Sequence, residues 1–417
     1  MSKLHWRQAV PLISWFALAA HGDENTTVTA GQSVRGLTIV NAIQNVEGGG
    51  ETHAITLGTS GIQWLNSNAS SLTAAAYSTA ILQGGKQFVL PNGRAVATSI
   101  AKDGMQYLQG GTSQGSVVAG QIALIRSSAA SDVTVLDGGS LSIDRSSMAS
   151  RVMAMPGATV ALNGGELANA DFMAGSALFI ELYDSRLTGT NRIATVQLFP
   201  VPLPPFIQPQ IIKNEGRLIF EQNADYALAA PLVGNGILVQ NGSAILTLAD
   251  GVQQSAVLVQ AGQLDITGTT RAAVTVNHGA RLGGSGTLIG NLDLAGFVSP
   301  GTALDPAATL TVRGNWASTG GTLEFHGAQA GVAAPLGLLV IDAGQVTGTT
   351  QVRINNVAAL GQKTEGDGIA LIHGIHGANT TVQSTRQGFA LQGPPLDVGA
   401  YEYRLYPGDA AGQGENW

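Results

Sequence analysis

Short apolar runs alternate with small and polar residues along most of the chain, and glycine-rich turns separate these runs. The clearest unit contains Gly, any residue, Gln, an aromatic residue and an aliphatic residue, and it occurs at 61–65, 85–89 and 104–108. The second unit starts 24 residues after the first, and the third starts 19 residues after the second. Such alternation is typical of strands that have one face in the core and one face in solvent.

A looser version of the unit continues towards the C-terminus. Its starting glycines are Gly120, Gly139, Gly157, Gly175, Gly216, Gly242, Gly262 and Gly279. A period of about 20 residues indicates a solenoid, because one unit cannot bury its apolar face alone whereas stacked units can. We therefore predict an all-β fold, a parallel β-helix whose glycine-rich corners adopt positive φ. A leucine-rich repeat is the main alternative, but its L-x-x-L-x-L-x-x-N signature is missing, and a β-propeller needs a longer period.

The repeat pattern is interrupted at 182–213, where five prolines cluster between 200 and 209. Proline cannot donate a hydrogen bond to a strand ladder, so this segment is predicted to leave the stack as an extended loop. It is either a plain spacer or an exposed loop for a partner that binds proline-rich segments.

The N-terminus has the pattern of a secretory signal peptide at 1–20. Lys3 and Arg7 precede an apolar stretch at 9–20, and Ala17-Leu18-Ala19 has the A-x-A form of a cleavage site. The stretch is too short to cross a membrane as a helix. A buried first strand or helix is the alternative interpretation.

Composition narrows the function classes. The 417 residues carry a net charge of -7 with no basic tract, which argues against nucleic acid as a partner. The absence of cysteine excludes a cysteine nucleophile, a thiolate zinc site and disulfides. It fits both a cytosolic protein and an exported protein that must stay unfolded during transit.

Three short motifs could suggest chemistry, but their surroundings favour turns and loops. The segment 111–115 fits G-x-S-x-G, yet no helix follows the serine as a hydrolase requires, so a turn is expected. His373 and His376 could suit a metal on a helix, but the adjacent glycines indicate a loop. Asn277-His278-Gly279 faintly suggests a β-helix polysaccharide hydrolase, but it has no flanking carboxylate. We predict no catalytic residue, no metal site and no cofactor.

The segment from about residue 229 onwards resembles the passenger domains of autotransporters. Residues 234–248 resemble the passenger-associated transport repeat, with Gln240 where lysine is usual. The segments 282–288 and 298–301 are similar to the L-G-G-x-G-T and S-P-G motifs of that family. The upstream Gly-x-Gln-aromatic units resemble adhesin-type repeats of the same superfamily.

The C-terminal residues are similar to the pertactin-like autochaperone region of that family. The matching segments are 339–344, 346–350, 354–357, 364–372, 399–405 and 416–417. The resemblance implies a right-handed, single-stranded β-helix whose C-terminal rungs fold first and cap the stack. Burial of Tyr401, Tyr403 and Trp417 is expected to anchor this cap.

The resemblance also implies the division of the chain and its partners. We expect β-helix repeats at 21–181, the interruption at 182–213, further β-helix at 214–335 and the autochaperone cap at 336–417. It implies an outer-membrane barrel translocator as partner, which we do not find within these 417 residues.

The expected function is a non-catalytic adhesin or virulence-type factor that is exported through the periplasm to the cell surface. There it would bind a host-cell or matrix receptor, a glycan or a like cell. The alternatives are a β-helix enzyme, either carbohydrate-active or an esterase, and a truncated remnant that is never exported.

Overall fold

The computed structural model is built from β-strands. It describes residues 15–17, 21–22, 24–67, 72–180, 185–194, 197–199, 211–249, 251–301, 305, 307–326, 336–355, 363–381, 387–398, 400–408 and 414–417. All strand pairings between rungs are parallel in these residues, and no helix occurs among them. The predicted all-β fold of stacked parallel strands is therefore confirmed. Nor does the described part of the chain contain a helix long and apolar enough to cross a membrane.

The chain divides into two compact units. The first comprises Met1–Arg186 and Val196–Val201, and the second comprises Leu187–Thr195 and Pro202–Trp417. Within each unit the residues that alternate inward are mostly apolar and almost fully buried, and they form a column of Val, Leu, Ile and Ala side chains. Removal of this apolar surface from water is the main stabilising contribution to such a stack.

The first unit presents a ten-stranded parallel sheet on one side. Its strands are Thr26–Val28, Ile43–Glu47, Ile62–Asn66, Lys86–Val89, Met105–Gln109, Gln121–Ile125, Ser140–Asp144, Thr159–Asn163, Ala177–Ile180 and Gln197–Phe199. The remaining strands of this unit form two further parallel ladders. They are Trp15–Ala17, His21–Gly22, Ser33–Arg35, Thr38–Ile39, Glu51–His53, Thr56–Leu57, Ala74–Tyr77, Ala80–Ile81, Gly93–Val96, Ser99–Ile100, Thr112–Gln114, Val117–Val118, Ala129–Val135, Met148–Ala154, Glu166–Ala168 and Asp171–Phe172.

The second unit repeats this plan around an eight-stranded parallel sheet. The strands of that sheet are Tyr226–Leu228, Ile245–Leu248, Gln263–Ile266, Arg281–Gly284, Phe297–Pro300, Thr322–His326, Thr350–Asn355 and Phe389–Leu391. The other strands are Ile212–Asn214, Arg217–Phe220, Leu232–Val233, Ile237–Gln240, Val252–Val259, Thr269–Val276, Thr287–Ile289, Leu292–Leu294, Thr309–Arg313, Trp316–Ser318, Leu338–Asp342, Val346–Thr347 and Ile372–Ile375. A separate antiparallel hairpin joins Leu396–Val398 to Tyr401–Tyr403.

Two segments singled out in the sequence fall partly outside the described residues. Of the predicted signal peptide, only Trp15–Ala17 is described, and it forms a strand that pairs in parallel with Ser33–Arg35. Within the predicted interruption, the structure has three strands, Arg186–Thr188, Thr190–Ile193 and Gln197–Phe199. The prolines of that segment lie outside the described residues.

The glycines that open the Gly-x-Gln units are required for close packing between rungs. A Cβ atom at Gly61 would lie 2.2 Å from the carbonyl oxygen of Ile39, and one at Gly85 would lie 2.4 Å from that of Leu57. Neither glycine has a positive φ. The expected positive φ of the glycine-rich corners is found at neighbouring glycines such as Gly84, Gly138 and Gly164. At Gly61 and Gly85 the missing side chain instead lets one rung approach the next.

Positive φ occurs at several turns of the rungs, often at glycines such as Gly84, Gly138 and Gly164, and one corner of each rung has it mostly at residues other than glycine. In the first unit this corner is at Gly36, Ala54, Ser78, Ala97, Gly115, Asp132, Arg151 and Asn169. The left-handed conformation costs about 1 kcal/mol or more at a residue that has a Cβ atom. The hydrogen bonds between stacked rungs impose it in spite of this cost.

The glutamines of the repeat lie in the core of the first unit and form a continuous ladder. Gln63 Nε2 donates to Gln44 Oε1 at 2.8 Å, and Gln87 Nε2 donates to Gln63 Oε1 at 2.7 Å. Gln106 Nε2 donates to Gln87 Oε1 at 2.6 Å. All four side chains are at most 1% exposed. We call these four residues the glutamine ladder; its hydrogen bonds allow polar side chains to be buried and fix the register of successive rungs.

We expect Gln87→Leu to lower the free energy of unfolding by about 1–3 kcal/mol, because it leaves Gln63 Oε1 without a donor inside the core. Urea denaturation followed by far-ultraviolet circular dichroism measures this loss. The matched control is Gln121→Leu, at an exposed outward position of the same sheet, which should change the free energy of unfolding by less than about 0.5 kcal/mol. Equal stability of Gln87→Leu and the parent chain would contradict this role.

Candidate functional site

The serine of the G-x-S-x-G motif is a core residue. Ser113 lies in the strand Thr112–Gln114, where a turn was expected, and it is 3% exposed. Its hydroxyl donates to Gln106 Oε1 at 3.2 Å and lies 2.8 Å from the hydroxyl of Ser116. A hydroxyl buried at the end of the glutamine ladder is not placed to attack a substrate.

The histidines of the sequence motifs do not converge on one site. His373 belongs to the strand Ile372–Ile375, whereas His376 follows that strand with a φ of 52° and contacts Asp342. His278 is exposed in a turn where Ala280 N donates to Asn277 O at 3.0 Å. Within the described residues, no three His, Asp or Glu side chains are grouped as a metal site requires.

The described C-terminal segment, residues 414–417, is bonded to the last rung of the stack. Leu371 N and Ile372 N donate to the carbonyl oxygen of Trp417 at 2.8 and 3.0 Å, and Trp417 N donates to Ile372 O at 2.9 Å. The carboxylate of Glu415 accepts from Thr380 N at 2.6 Å and from Thr381 N at 2.7 Å. These bonds cover part of the open edge of the last strand, which would otherwise be available for aggregation.

The side chain of Trp417 extends the apolar core of the stack into the cap. It is 6% exposed, and its ring meets Phe389 edge-on at 5.5 Å between centroids. Phe389 in turn packs against Trp316 at 6.0 Å. The Trp417 indole donates to Thr380 Oγ1 at 3.0 Å, so its only polar atom is satisfied. The expectation that Trp417 is buried is therefore confirmed.

The hairpin beyond the last rung contributes less buried aromatic surface than expected. Tyr401 is 40% exposed, so the expectation that it anchors the cap through burial is wrong. Tyr403 is partly exposed and lines a cavity of about 760 Å³ between the last rungs and the hairpin. The wall of this cavity also includes Ile354, Leu391 and Trp417. The cap therefore holds the stack mainly through Trp417 and its neighbours.

Asp342 connects three successive rungs of the second unit. Arg313 Nε donates to Asp342 Oδ2 at 2.7 Å, and His376 Nδ1 donates to Asp342 Oδ1 at 2.6 Å. Asp342 itself is 4% exposed. The hydrogen bond from His376, and after it that from Arg313, holds the pKa of Asp342 below its ordinary value of 3.8.

The lowered pKa of Asp342 predicts acid sensitivity of this part of the chain. A carboxylate with a lowered pKa stabilises the folded state above the pKa of the unfolded chain, and this stability is lost as the pH falls through the folded-state value. We expect the melting temperature to fall on acidification below about pH 4, measured by circular dichroism. Asp342→Asn should be less stable at neutral pH and should show a shallower acid-induced loss. An unchanged acid-induced loss in Asp342→Asn would contradict the assignment.

A second charged cluster lies on the outward side of the eight-stranded sheet. Glu324 is fully buried although it occupies an outward position, because Arg281 and Arg353 both form ion pairs with its carboxylate. Both guanidinium groups lie over the ring of Phe297, at 4.8 and 5.7 Å from its centroid. Burial, and after it the charge of Arg281, lowers the pKa of the neighbouring His326. The sequence analysis missed this cluster, since Glu324 resembles an ordinary solvent-facing residue of an alternating strand.

The outer face of the ten-stranded sheet carries few charges. Along the described strands from Ile43 to Ile180, the outward side chains include only Glu47, Lys86 and Asp144 as charged residues. Glu47 and Asp144 are five rungs apart. The remaining outward positions are mostly hydroxyl, amide, aromatic or small apolar residues. This face offers hydrogen bonding and flat contact surface, and it lacks paired carboxylates for acid-base chemistry.

Comparisons with known proteins agree with the C-terminal features. Residues 290–405 match the family model for Autochaperone Domain Type 1, which begins upstream of the predicted boundary at 336. The adhesin BmaC autotransporter of Brucella suis biovar 1 (strain 1330) is 30% identical over 219 residues, 49% of this chain and 6% of that protein. The chain thus matches only a small part of that relative's length.

Among solved structures, the crystal structure of the TibC-catalyzed hyper-glycosylated TibA55-350 fragment is similar, with a TM-score of 0.30 and 16% identity. The match covers 80% of this chain and 94% of that fragment. The matched autochaperone region contains Glu324, Asp342 and the hairpin of the cap. Residues 290–405 match an autochaperone region, and this match and the stacked parallel rungs support an autotransporter passenger domain.

Proposed function

We propose that this passenger is a non-catalytic adhesin, exported through the periplasm and displayed at the cell surface. The observation that carries the proposal is the outer face of the ten-stranded sheet, whose hydroxyl, amide and aromatic side chains suit adhesion. A β-helix enzyme would instead need carboxylates on adjacent rungs. The name of the relative from Brucella suis supports the same class of function.

In this proposal the C-terminal cap serves folding and export. The last rungs, closed by Trp417 and by the Glu324 cluster, fold first and offer a paired template to which earlier rungs add one by one. The partner of the chain during export is an outer-membrane translocator. The partner after export is a receptor or glycan on a host cell or matrix, or a neighbouring bacterium.

Attachment of beads tests the adhesive function. Beads coated with the purified full chain should attach to epithelial cells, to immobilised matrix or to like-coated beads, whereas beads coated with albumin should not. Introduction of outward negative charges on the sheet, such as Ser140→Glu combined with Thr159→Glu, should reduce attachment. The matched control adds the same two charges on exposed positions of the second unit, Gln253→Glu combined with Thr347→Glu, and should attach like the parent chain. If the coated beads attach to none of the three surfaces, the proposal is overturned.

Display at the surface is tested on intact cells that produce the chain. Labelling with an antibody to the chain should be strong, and external protease should remove it. Label that appears only after the envelope is opened would contradict export to the surface and would favour the retained remnant.

A further inference from the structure

One row of outward residues runs up the middle of the ten-stranded sheet, one residue from each rung. In order along the stack the row contains Asn45, Trp64, Phe88, Tyr107, Ala123, Ser142, Ala161 and Phe179. We call it the central row. Its members change abruptly from large aromatic to small residues after Tyr107.

The aromatic members of the central row stack on one another. The rings of Trp64 and Phe88 are 4.1 Å apart and nearly parallel at 12°, and those of Phe88 and Tyr107 are 5.2 Å apart at 11°. Each ring plane therefore faces along the stack, towards the next rung. One face of Tyr107 is covered by Phe88. The other faces the position of Ala123, whose single methyl group is too small to cover it.

Three small residues of the central row leave a trough beyond Tyr107. Its floor is Ala123, Ser142 and Ala161, and Phe179 lies at its far end. Tyr107 and Phe179 are four rungs apart, a distance of about 19 Å at the usual spacing between strands. The trough is therefore long enough for several linked sugar rings.

Polar side chains line one side of the trough. Asn163 Nδ2 donates to Ser142 Oγ at 3.2 Å and to Asp144 Oδ1 at 3.1 Å, and Ser142 Oγ donates to Asp144 Oδ1 at 3.2 Å. Asn163 Oδ1 is shielded from solvent and accepts no hydrogen bond from the described residues.

The other side of the trough is polar but uncharged. It consists of Gln121, Ser140 and Thr159, which precede the floor residues by two positions on the same strands. The strands that form the trough carry no lysine or arginine, and their one charged residue is Asp144. Arg126 and Arg145 lie just beyond two of these strands, outside the trough itself. With one carboxylate and no cation on the strands that form it, the trough suits a neutral ligand better than an anionic one.

We propose that the trough between Tyr107 and Phe179 binds a neutral oligosaccharide. This proposal rests on the proposed adhesive function and names its ligand class. A pyranose has an apolar face of C–H groups that packs on the open face of Tyr107 and on the floor methyl groups. Its hydroxyl groups donate to and accept from the amide, hydroxyl and carboxylate groups along both sides. The ring at the Tyr107 end fixes the position of the chain, and the flat floor accommodates the following sugars.

Direct binding of sugars to the purified full chain tests the site. The probes are cellotetraose, chitotetraose and a lactosamine tetrasaccharide, with a sialylated form of the last as the anionic comparison, and calorimetry measures each Kd. At least one neutral probe should bind, and Tyr107→Ala should weaken it about tenfold. Ser142→Phe should abolish binding, because an aromatic ring would then occupy the middle of the trough floor. The control is Trp64→Ala, which removes a ring of the same stack that does not border the trough and should leave the Kd unchanged.

The outcomes separate this site from the adhesive function itself. If none of the neutral probes binds with a Kd below about 1 mM, or if Ser142→Phe binds as well as the parent chain, the sugar site is overturned. If coated beads still attach to cells in that case, the adhesive function stands with another ligand, such as a protein or a second copy of this chain. If a neutral probe binds at the trough but coated beads attach to nothing, the sugar site stands and the adhesive function fails.

Discussion

We expect Trp417→Ala to lower the free energy of unfolding of the C-terminal rungs by about 3–5 kcal/mol, as removal of a large buried aromatic side chain does. The substitution removes the ring that packs on Phe389, leaves Thr380 Oγ1 without the indole donor and enlarges the cavity beneath the hairpin. Hydrogen exchange is the suitable measurement, because a long stack unfolds locally and need not follow one transition.

The pattern of hydrogen exchange shows whether Trp417 stabilises only the C-terminal rungs or the whole chain. Protection should fall most in Ile372–Ile375 and Phe389–Leu391, which contact Trp417 directly, and should change little in the first unit. Trp417→Phe is the matched control, since it keeps most of the apolar contact but removes the indole donor, and it should lose about 1 kcal/mol. Equal protection of these strands in Trp417→Ala and the parent chain would show that the cap is held by other contacts.

We expect Glu324→Leu to destabilise the second unit by about 3 kcal/mol, because it leaves two guanidinium groups without their shared acceptor. The side chains of Arg281 and Arg353 are 35% and 40% exposed, so water can hydrate both guanidinium groups in part after the substitution. The expected loss is therefore at the low end of the range for breaking a buried ion pair. Urea denaturation of a Trp64→Phe background, followed by intrinsic tryptophan fluorescence, measures the loss, because Trp316 and Trp417 of the second unit then contribute to the signal without Trp64.

Two further variants separate charge from packing in this cluster. Glu324→Gln keeps the shape and the hydrogen-bond acceptor but not the charge, and it should lose less stability than Glu324→Leu. A triple change of Glu324, Arg281 and Arg353 to leucine or methionine should recover most of the loss, because no charge is then left unpaired. If the triple variant is the least stable of the three, the ion pairs contribute more than their desolvation costs, contrary to our account.

Much of the architecture follows from the sequence alone. A period of about 20 residues with glycine at fixed places allows few folds other than a stack of rungs, since only neighbouring units can cover each apolar face. The C-terminal motifs and Trp417 also indicated the cap, because an exposed tryptophan at the end of an apolar repeat needs a surface to bury it. These signals are local and periodic, so they can be recognised in the sequence without the tertiary structure.

Contacts between rungs determine which side chains are buried and which ones meet, and the local sequence pattern does not show this. The Gln and the aromatic residue of each unit are adjacent in sequence, and only stacking shows that the glutamine is buried while the aromatic ring faces outward. Glu324 meets Arg281 and Arg353 across residues far apart in the chain, so no spacing in the sequence reports it. The trough between Tyr107 and Phe179 likewise exists only because small residues fall in register on three successive rungs, and register is set by hydrogen bonds between strands. The sequence by itself thus determined that this chain forms a capped solenoid, whereas the lateral alignment of its rungs determined which side chains meet and where a ligand fits.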